Sequence, residues 1–370
     1  MIERGHVRRF GIVGAGTIGS GIARMLSDLG ATVVVVAPRP GGVRRAADML
    51  QLTYKSDVDR GRISAAEAEA RLHDIHLTPY YSDLDGVECV IESVIEDVQT
   101  KQEVLAAVEE CVSADSIIAS NTSSIPITRI AATARRPDRV IGTHYFWPAH
   151  RYQLVEIATA EATSERTLQR TLAMTGWQGK VPLLVRDRPG FFTTRILLVY
   201  LNEAIALVTE GASIDSVDRA MKAFGWAMGP FRLMDAVGIE IFRGIHDSVS
   251  RHLGERVKYL PRLWPVLEAG HRGYQRRRRE EAKGFYLDPE GQVVDERIYS
   301  LIGGNANGTP SSTEVSTRPI WQMINEIGRC LAEGIVSSPY DADLGAVLGI
   351  GWPQPQGGPL EYARRVGIDT

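Results

Sequence analysis

The 370-residue sequence has little cysteine and no surplus of either charge. Its three cysteines, Cys89, Cys111 and Cys330, are far apart and odd in number, which excludes a disulfide framework and a spaced zinc site and favours a reducing cytoplasm. The formal net charge is −3, so no nucleic-acid partner is expected. The chain begins with charged residues, and its longest apolar runs are only as long as a strand. We therefore expect a cytoplasmic protein with no signal peptide, no membrane partner and no metal.

Glycine is plentiful, and three glycines near the N terminus form a functional pattern. A short apolar run predicts a buried strand, and Gly14-Ala15-Gly16-Thr17-Ile18-Gly19 leads from it into a helix. A β-branched run at 32–36 completes a β-α-β unit. In that context the glycines permit a tight turn, close approach of a pyrophosphate and close helix packing. The residues predicted to bind a dinucleotide here are Gly14, Gly16, Thr17, Ile18 and Gly19.

The second strand ends without the acidic residue that an NAD site uses to bind the ribose 2′-hydroxyl. It is followed by Ala37, Pro38 and Arg39. A small residue removes a repelling charge, and a guanidinium can bind a 2′-phosphate, so Ala37 and Arg39 favour NADP over NAD. The alternative is that Arg39 is solvated and that the site binds NAD less tightly.

Strands and helices alternate over the first half of the chain, which predicts an α/β fold with a doubly wound, mostly parallel sheet. Further strands are expected at 88–93, 116–119, 140–143 and 154–157, and Ser64 and Glu67 predict a capping box in the helical stretch 43–73. After Pro189 and Gly190 the chain becomes largely helical. The expected domains are a Rossmann-type NAD(P)-binding domain (1–187), a first helical domain (188–284), a linker (285–316) and a second helical domain (317–370).

The helical half also contains a weak internal repeat. The pairs Asn202-Glu203, Glu210-Gly211, Gly225-Trp226 and Gly229-Pro230 recur in order as Asn325-Glu326, Glu333-Gly334, Gly351-Trp352 and Gly358-Pro359. The alternative is chance recurrence of glycines at helix ends, but order and residue type both recur. The pattern therefore predicts a duplicated helical domain.

A hydroxyl, an imidazole and a carboxylate follow the dinucleotide motif in chain order. Ser123 lies in the run Ser120-Asn121-Thr122-Ser123-Ser124, His144 follows the strand at 140–143, and Glu156 lies on the next strand. Sites of parallel sheets open at the carboxyl ends of strands, and a carboxylate can orient a histidine that transfers a proton. The arrangement predicts hydride transfer coupled to proton transfer. The structural alternatives are a core histidine and a turn-forming serine.

These motifs resemble the L-3-hydroxyacyl-CoA dehydrogenase family, most closely the dehydrogenase portion of bacterial fatty-acid oxidation multifunctional enzymes. The resemblance extends to Val94-Ile95-Glu96-Asp97, Pro189-Gly190-Phe191-Phe192 and the segments 224–230 and 343–362. It implies that His144 is the general base in the oxidation direction, that Glu156 holds its ring, and that Ser123 donates to the substrate oxygen. Cofactor contacts are implied for Glu96 and Lys101, with Asn121 as a further candidate, and a CoA-phosphate contact for Lys55. An acyl thioester on CoA or on an acyl carrier protein, and a homodimer, are also implied.

The sequence departs from the family pattern at three positions. Ala37 replaces the acid after the second strand, Trp147 replaces the Asn of His-Phe-Phe-Asn-Pro, and Thr194, before Arg195, replaces the Asn of Pro-Gly-Phe-x-x-Asn-Arg. Those two asparagines normally face substrate and nicotinamide, so Trp147 and Thr194 are candidate substrate-contacting residues, and Thr194 is also a catalytic candidate. We interpret the chain as a specialised relative for which a biosynthetic role is plausible.

Two other functions stay open from the sequence. One is a non-enzymatic homologue that binds a cofactor or a thioester. The other is a dehydrogenase of a small free hydroxy acid, in which Trp147 blocks the acyl tunnel. The basic run 276–279 could meet a CoA phosphate or an acidic carrier protein, but Glu280 and Glu281 follow it, and a solvated helix face is the preferred interpretation.

Overall fold

The computed structural model describes residues 8–274, 283–288, 290–304 and 310–368. It separates into two compact units, Met1–Arg188 and Pro189–Thr370. The first unit contains the sheet and the second is helical. The basic run 276–279 and part of the expected linker, 305–309, lie outside the described residues. Within the described part of the chain, no helix is both long enough and apolar enough to cross a membrane.

Eight strands form one sheet in the first unit. They are β1 (Arg9–Val13), β2 (Thr32–Val36), β3 (Ile75–Thr78), β4 (Cys89–Glu92), β5 (Ile117–Ser120), β6 (Val140–Tyr145), β7 (Leu154–Thr159) and β8 (Val181–Arg186). Their order is β3-β2-β1-β4-β5-β6-β7-β8, and neighbours are parallel except for the antiparallel pair β6 and β7. This confirms the doubly wound, mostly parallel sheet. The inner strand β2 is apolar and buried at 33–36, because both faces of a parallel sheet are covered.

The helices of the first unit connect these strands. They are α1 (Thr17–Asp28), α2 (Gly42–Asp59), α3 (Ala65–His73), α4 (Val98–Cys111), α5 (Ile127–Ala131) and α6 (Glu165–Trp177). The capping box of α3 is present: Ser64 Oγ accepts the Glu67 N–H at 3.1 Å, and the Glu67 carboxylate accepts the Ser64 N–H at 2.8 Å. Each bond satisfies a backbone donor that the first helical turn cannot pair, which explains why α3 begins there.

The second unit is built from nine helices in its described residues. They are α7 (Thr193–Thr209), α8 (Ile214–Phe224), α9 (Pro230–Val237), α10 (Ile239–Leu253), α11 (Trp264–Glu268), α12 (Arg297–Ile302), α13 (Ser312–Ala332), α14 (Pro339–Gly349) and α15 (Pro359–Arg365). The turn-rich composition of 285–316 predicts a linker, whereas the structure places α12 there and buries Phe285 and Tyr286. Apolar side chains between the turns pack into the helical unit. The many glycine and aspartate residues of this segment predict turns, so its composition does not indicate the buried side chains.

Two parts of the helical unit repeat one hydrogen-bonding pattern. Asp218 on α8 accepts the N–H groups of the second and third residues of α9, at 2.9 and 3.0 Å. Asp343 on α14 accepts those of the second and third residues of α15, at 2.8 and 3.2 Å. A Cβ on Gly229 would lie 2.3 Å from Asp218, and a Cβ on Gly358 would lie 2.0 Å from Asp343, so each aspartate requires a glycine before the helix. These equivalent positions support the predicted duplication.

Candidate active site

The turn between β1 and α1 has the shape of a dinucleotide cradle. Gly14 has a φ of 106°, and a Cβ there would lie 2.4 Å from the Ser93 carbonyl oxygen. A Cβ on Gly19 would lie 2.0 Å from the Gly14 carbonyl oxygen, so only glycine lets α1 begin this close to the turn. A Cβ on Gly16, by contrast, would meet nothing within 4 Å. The open backbone at the N terminus of a twelve-residue helix fits a bound pyrophosphate.

The other cofactor candidates near this turn lie at the ends of α1 and β2. Thr17 and Ile18 are the first two residues of α1. Ala37 is buried directly after β2, and its N–H donates to the Thr78 carbonyl oxygen at 2.8 Å. Arg39 is exposed two residues later. The end of β2 therefore offers a small side chain and a solvent-accessible cation to a ribose.

His144 and Glu156 form a buried cross-strand pair. They are directly opposite each other on the antiparallel strands β6 and β7, and His144 Nδ1 lies 2.7 Å from Glu156 Oε2. Glu156 is fully buried, and the His144 side chain is 12% exposed. An ionised carboxylate accepts the proton of Nδ1, which leaves the lone pair on Nε2. The Phe146 ring, 4.6 Å from the imidazole between centroids, packs beside it. The histidine is thus held in one tautomer and one orientation.

A buried ion network lies at the ends of β4 and β5. The Lys101 side chain is 1% exposed, and its Nζ lies 2.9 and 3.0 Å from the two carboxylate oxygens of Glu92 and 3.5 Å from Glu96 Oε2. Burial alone would lower the pKa of Lys101, but the two carboxylates raise it above its ordinary value. Burial likewise opposes ionisation of Glu96, yet Lys101 and several hydrogen-bond donors hold the pKa of Glu96 below its ordinary value. Lys101 and Glu96 are therefore both charged at neutral pH.

The serine-rich loop after β5 is organised by Glu96. Its Oε1 accepts hydrogen bonds from Thr122 Oγ1 at 2.6 Å, from the N–H groups of Ser123 and Ser124 at 3.0 and 2.9 Å, and from Ser124 Oγ at 2.8 Å. The Ser123 hydroxyl is more distant, at 3.3 Å. Because the other donors already satisfy this carboxylate, the Ser123 hydroxyl is the one most easily given up to another acceptor.

Asn121 joins this loop to the strand that carries the histidine. Its Oδ1 accepts the N–H of Tyr145, the residue after His144, at 2.8 Å, and its Nδ2 lies 3.4 Å from Ser93 Oγ. Glu92, which sequence reasoning missed, accepts the Ser120 hydroxyl at 2.6 Å. The only signal for Glu92 in the sequence is an acid at the end of an apolar strand.

Three other predicted site residues lie on different elements. Lys55, on α2, is 70% exposed, and its Nζ lies 3.0 Å from the Asp59 carboxylate one turn later. Trp147 lies in the loop between β6 and β7 and is 46% exposed. Thr194 belongs to the second unit, where it is a buried residue of the first turn of α7.

The glycine turn and the doubly wound sheet are typical of a dinucleotide-dependent oxidoreductase, and the comparisons identify the family. Residues 9–188 match "3-hydroxyacyl-CoA dehydrogenase, NAD binding domain", and residues 190–287 match "3-hydroxyacyl-CoA dehydrogenase, C-terminal domain". The crystal structure of the (S)-3-hydroxybutyryl-CoA dehydrogenase of Ralstonia eutropha is similar to this structure with a TM-score of 0.67. The two sequences are 31% identical, and the similarity covers 76% of this chain and 99% of the Ralstonia chain. The chain belongs to the 3-hydroxyacyl-CoA dehydrogenase family, as its sequence motifs indicate.

Two further relatives extend the similarity to nearly the whole chain. A fatty acid oxidation complex subunit alpha from Shewanella amazonensis is 38% identical over 361 residues, which are 96% of this chain and 50% of that protein. The chain thus spans about half the length of the curated relatives it matches. The 3-hydroxybutyryl-CoA dehydrogenase of Escherichia coli K12 has a TM-score of 0.79 at 22% identity and covers 98% of this chain and 92% of that one, which shows a common fold.

Proposed function

We propose that this chain transfers a hydride between a nicotinamide cofactor and C3 of a 3-hydroxyacyl or 3-oxoacyl thioester. The observation that carries the proposal is the 2.7 Å contact between His144 Nδ1 and Glu156 Oε2 at the end of β6. β1 and β6 run in the same direction in this sheet, so their carboxyl ends face one edge. That edge carries the glycine cradle after β1. Proton transfer and cofactor binding therefore share one side of the sheet.

In the oxidation direction, His144 Nε2 removes the proton of the C3 hydroxyl as the C3–H bond breaks. A bound nicotinamide supplies the hydride acceptor for that carbon. Glu156 stabilises the resulting imidazolium and prevents ring rotation, because its carboxylate stays buried against Nδ1. In the reduction direction the imidazolium returns this proton to the C3 oxygen. The histidine thus carries one proton per turnover in either direction.

Ser123 is proposed to donate a hydrogen bond to the C3 oxygen. Its hydroxyl has the longest of the bonds to Glu96, so it can turn to a substrate oxygen without undoing the loop. Glu96 keeps the Ser123 N–H at 3.0 Å throughout. We therefore assign Ser123 the contact with substrate, and Glu96 and Lys101 the support of the loop beside the cofactor.

The test follows the nicotinamide absorbance with acetoacetyl-CoA and with free acetoacetate. Turnover of the thioester but not of the free acid would support the proposal. Turnover of the free acid alone would favour the small-hydroxy-acid alternative. Saturable binding of NADH or NADPH with no turnover of either substrate would favour the non-enzymatic homologue.

We further propose NADPH as the preferred cofactor, supported by Ala37 and the exposed Arg39 at the end of β2. The family name indicates NAD, so the preference depends on this substitution alone. Ala37→Asp is expected to shift the ratio of kcat/KM for NADPH over NADH at least tenfold towards NADH, because the carboxylate repels a 2′-phosphate and accepts the 2′-hydroxyl. Steady-state kinetics with both cofactors measure it, and Arg60→Ala, an exposed arginine at the end of α2, is the control. A preference for NADH in the unmodified enzyme would refute the proposal.

Trp147 is proposed to select the acyl group. It is 46% exposed and replaces an amide with a large aromatic surface, which favours a bulky acyl chain over a short one. Trp147→Asn is expected to raise kcat/KM for acetoacetyl-CoA about tenfold and to lower it for a 3-oxo-3-phenylpropanoyl thioester, since one positioned hydrogen bond is worth ~1–3 kcal/mol. Tyr340→Asn, which alters an exposed aromatic residue on α14, is the control. Equal changes for both substrates would exclude a role in selection.

The group that carries the acyl chain and the oligomeric state of the protein are further parts of the proposed function. We propose CoA as the first carrier to test and an acyl carrier protein as the second. The specialised substitutions at Ala37, Trp147 and Thr194 support a biosynthetic rather than a general oxidative role. Lys55, paired with Asp59 at the surface, is a weak candidate for the CoA phosphates, because its charge is already partly neutralised. The homodimer stays a prediction.

A further inference from the structure

The two longest helices of the duplicated unit are joined by a reciprocal set of ion pairs. Arg195 of α7 contacts Glu333, directly after α13, with 2.8 Å between a terminal nitrogen and Oε2. Arg318 of α13 contacts Glu210, directly after α7, with 2.5 and 2.9 Å between its terminal nitrogens and the carboxylate. Arg318 and Glu333 are the repeat counterparts of Arg195 and Glu210, because the same sequence offset relates both. The two ion pairs are therefore equivalent under the internal repeat.

The two ion pairs differ in the burial of the arginine and in the other hydrogen bonds that it makes. The Arg195 side chain is 0% exposed, and its Nε donates to the Pro189 carbonyl oxygen at 2.9 Å. The backbone N–H of Arg195 donates to the Gly190 carbonyl oxygen at 3.2 Å. Arg318 is 29% exposed, and its Nε donates to a second carboxylate, that of Glu203, at 2.7 Å. Only the first pair reaches a backbone turn. The pair between Arg318 and Glu210 keeps the same ion contact, but Arg318 donates its Nε proton to a side chain and not to a backbone carbonyl.

The turn that Arg195 holds is strained. Gly190 has a φ of 77°, and Phe191 has a φ of 42°, which is the single positive value for a non-glycine residue in the described part of the chain. Such a conformation is unfavourable for a bulky residue and persists only where its surroundings impose it. Phe191 and Phe192 are buried, and Thr194 follows within the first turn of α7. The Arg195 side chain therefore fixes the backbone that leads to Thr194.

Glu333 is suited to hold this arginine. Burial favours its neutral form, but the hydrogen bond and charge of Arg195, with Arg256 and His252 at 3.7 Å, keep the pKa of Glu333 below its ordinary value. The carboxylate thus stays ionised at neutral pH. Glu333 comes from the second repeat, whereas the turn belongs to the first.

We propose that Glu333 is a positioning residue for the reaction: acting through Arg195, it holds the strained turn at 189–192 and thereby sets Thr194. The second helical repeat thus acts on the segment of the first repeat that carries Thr194, without supplying a group that touches the substrate. This inference rests on the proposed function and on the substrate contact that the family resemblance implies for Thr194.

The first experiment measures hydrogen–deuterium exchange of peptides covering 189–196 in the intact chain. Glu333→Gln is compared with Glu210→Gln, which alters the equivalent acid of similar exposure, 36% against 39%. Glu333→Gln is expected to lower protection in this segment about tenfold, whereas Glu210→Gln leaves it unchanged. Equal protection in the two variants would overturn the proposal, whether or not the protein turns over a thioester.

The second experiment separates positioning from stability. We expect Glu333→Gln to lower kcat/KM for the acyl thioester about tenfold with the KM for the cofactor unchanged, Glu333→Asp to recover most of this loss, and Glu210→Gln to stay within twofold of the unmodified enzyme. Thermal midpoints should fall by similar amounts in the two glutamine variants. Parallel losses of kcat/KM in both would overturn the proposal. An inactive unmodified enzyme would refute the proposed function, and the exchange data would still decide the role of Glu333 in the turn.

Discussion

Replacing His144 by alanine is expected to lower kcat for the acyl thioester by about 10²–10⁴-fold, the usual contribution of a positioned general acid or base. This corresponds to ~3–5 kcal/mol of transition-state stabilisation. The loss is expected because His144 Nε2 is the proposed proton carrier and Glu156 holds the ring in one tautomer. Cofactor binding should be retained, since the glycine cradle makes no use of the imidazole. Single-turnover absorbance and fluorescence titration with NADPH and NADH measure the two quantities separately.

Two further variants make this result specific. His150→Ala removes an exposed histidine from the loop after β6, and it should change kcat by less than about threefold. Glu156→Gln keeps an oxygen near Nδ1 but removes the charge that stabilises the imidazolium, so its kcat should lie between those of His144→Ala and the unmodified enzyme. If His144→Ala retained more than a tenth of kcat, the proton would have to travel by another route.

The parts of the fold that sequence reasoning predicted are those set by local rules. The glycine turn, the capping box at Ser64 and the apolar inner strands each depend on neighbouring residues, and all are present. The edge strands β3 and β8 were not expected, because an exposed histidine, His76, interrupts the apolar run of one and the other carries Pro182. Edge strands are covered on fewer sides, so their pattern is weaker.

The candidate site likewise has residues that local sequence patterns predict and residues that they do not. His144 and Glu156 could be paired from the sequence because one follows a strand and the other lies on the next. The network around Lys101 could not be derived, because it requires β4 and β5 to be neighbours and thus to bring Glu92 beside the serine loop. The family resemblance implies cofactor contacts for Glu96 and Lys101, and these stay a prediction; the structure adds their contacts with the serine loop and with each other. Long-range pairing of charges leaves no periodic signal in a sequence.

Lys101→Met is expected to destabilise the first unit by ~3–5 kcal/mol, the cost of leaving a buried charge without its partner. Glu92 would retain a carboxylate in a site that is almost inaccessible to water, and Glu96 would lose its nearest cation. Chemical denaturation measures the free energy of unfolding. Lys55→Met is the control, since Lys55 is 70% exposed and its pair with Asp59 is a surface contact worth ~0–1 kcal/mol. The double variant Lys101→Met/Glu92→Gln should recover part of the loss, because it removes the unpaired charge.

The pH dependence of this loss has a defined sign. In the unmodified protein the lowered pKa of Glu96 contributes stability above its unfolded value, and that contribution is lost as pH falls through the folded pKa. The raised pKa of Lys101 contributes stability that is lost only as pH rises through its folded value, above the ordinary lysine range. Both contributions are therefore complete near pH 7. In Lys101→Met, Glu96 lacks the cation that helps to lower its pKa, so the stability deficit should be full near pH 7 and should shrink as pH falls below the ordinary carboxyl range. A deficit below ~1 kcal/mol, or one that grows on acidification, would show that the network is not held together by charge.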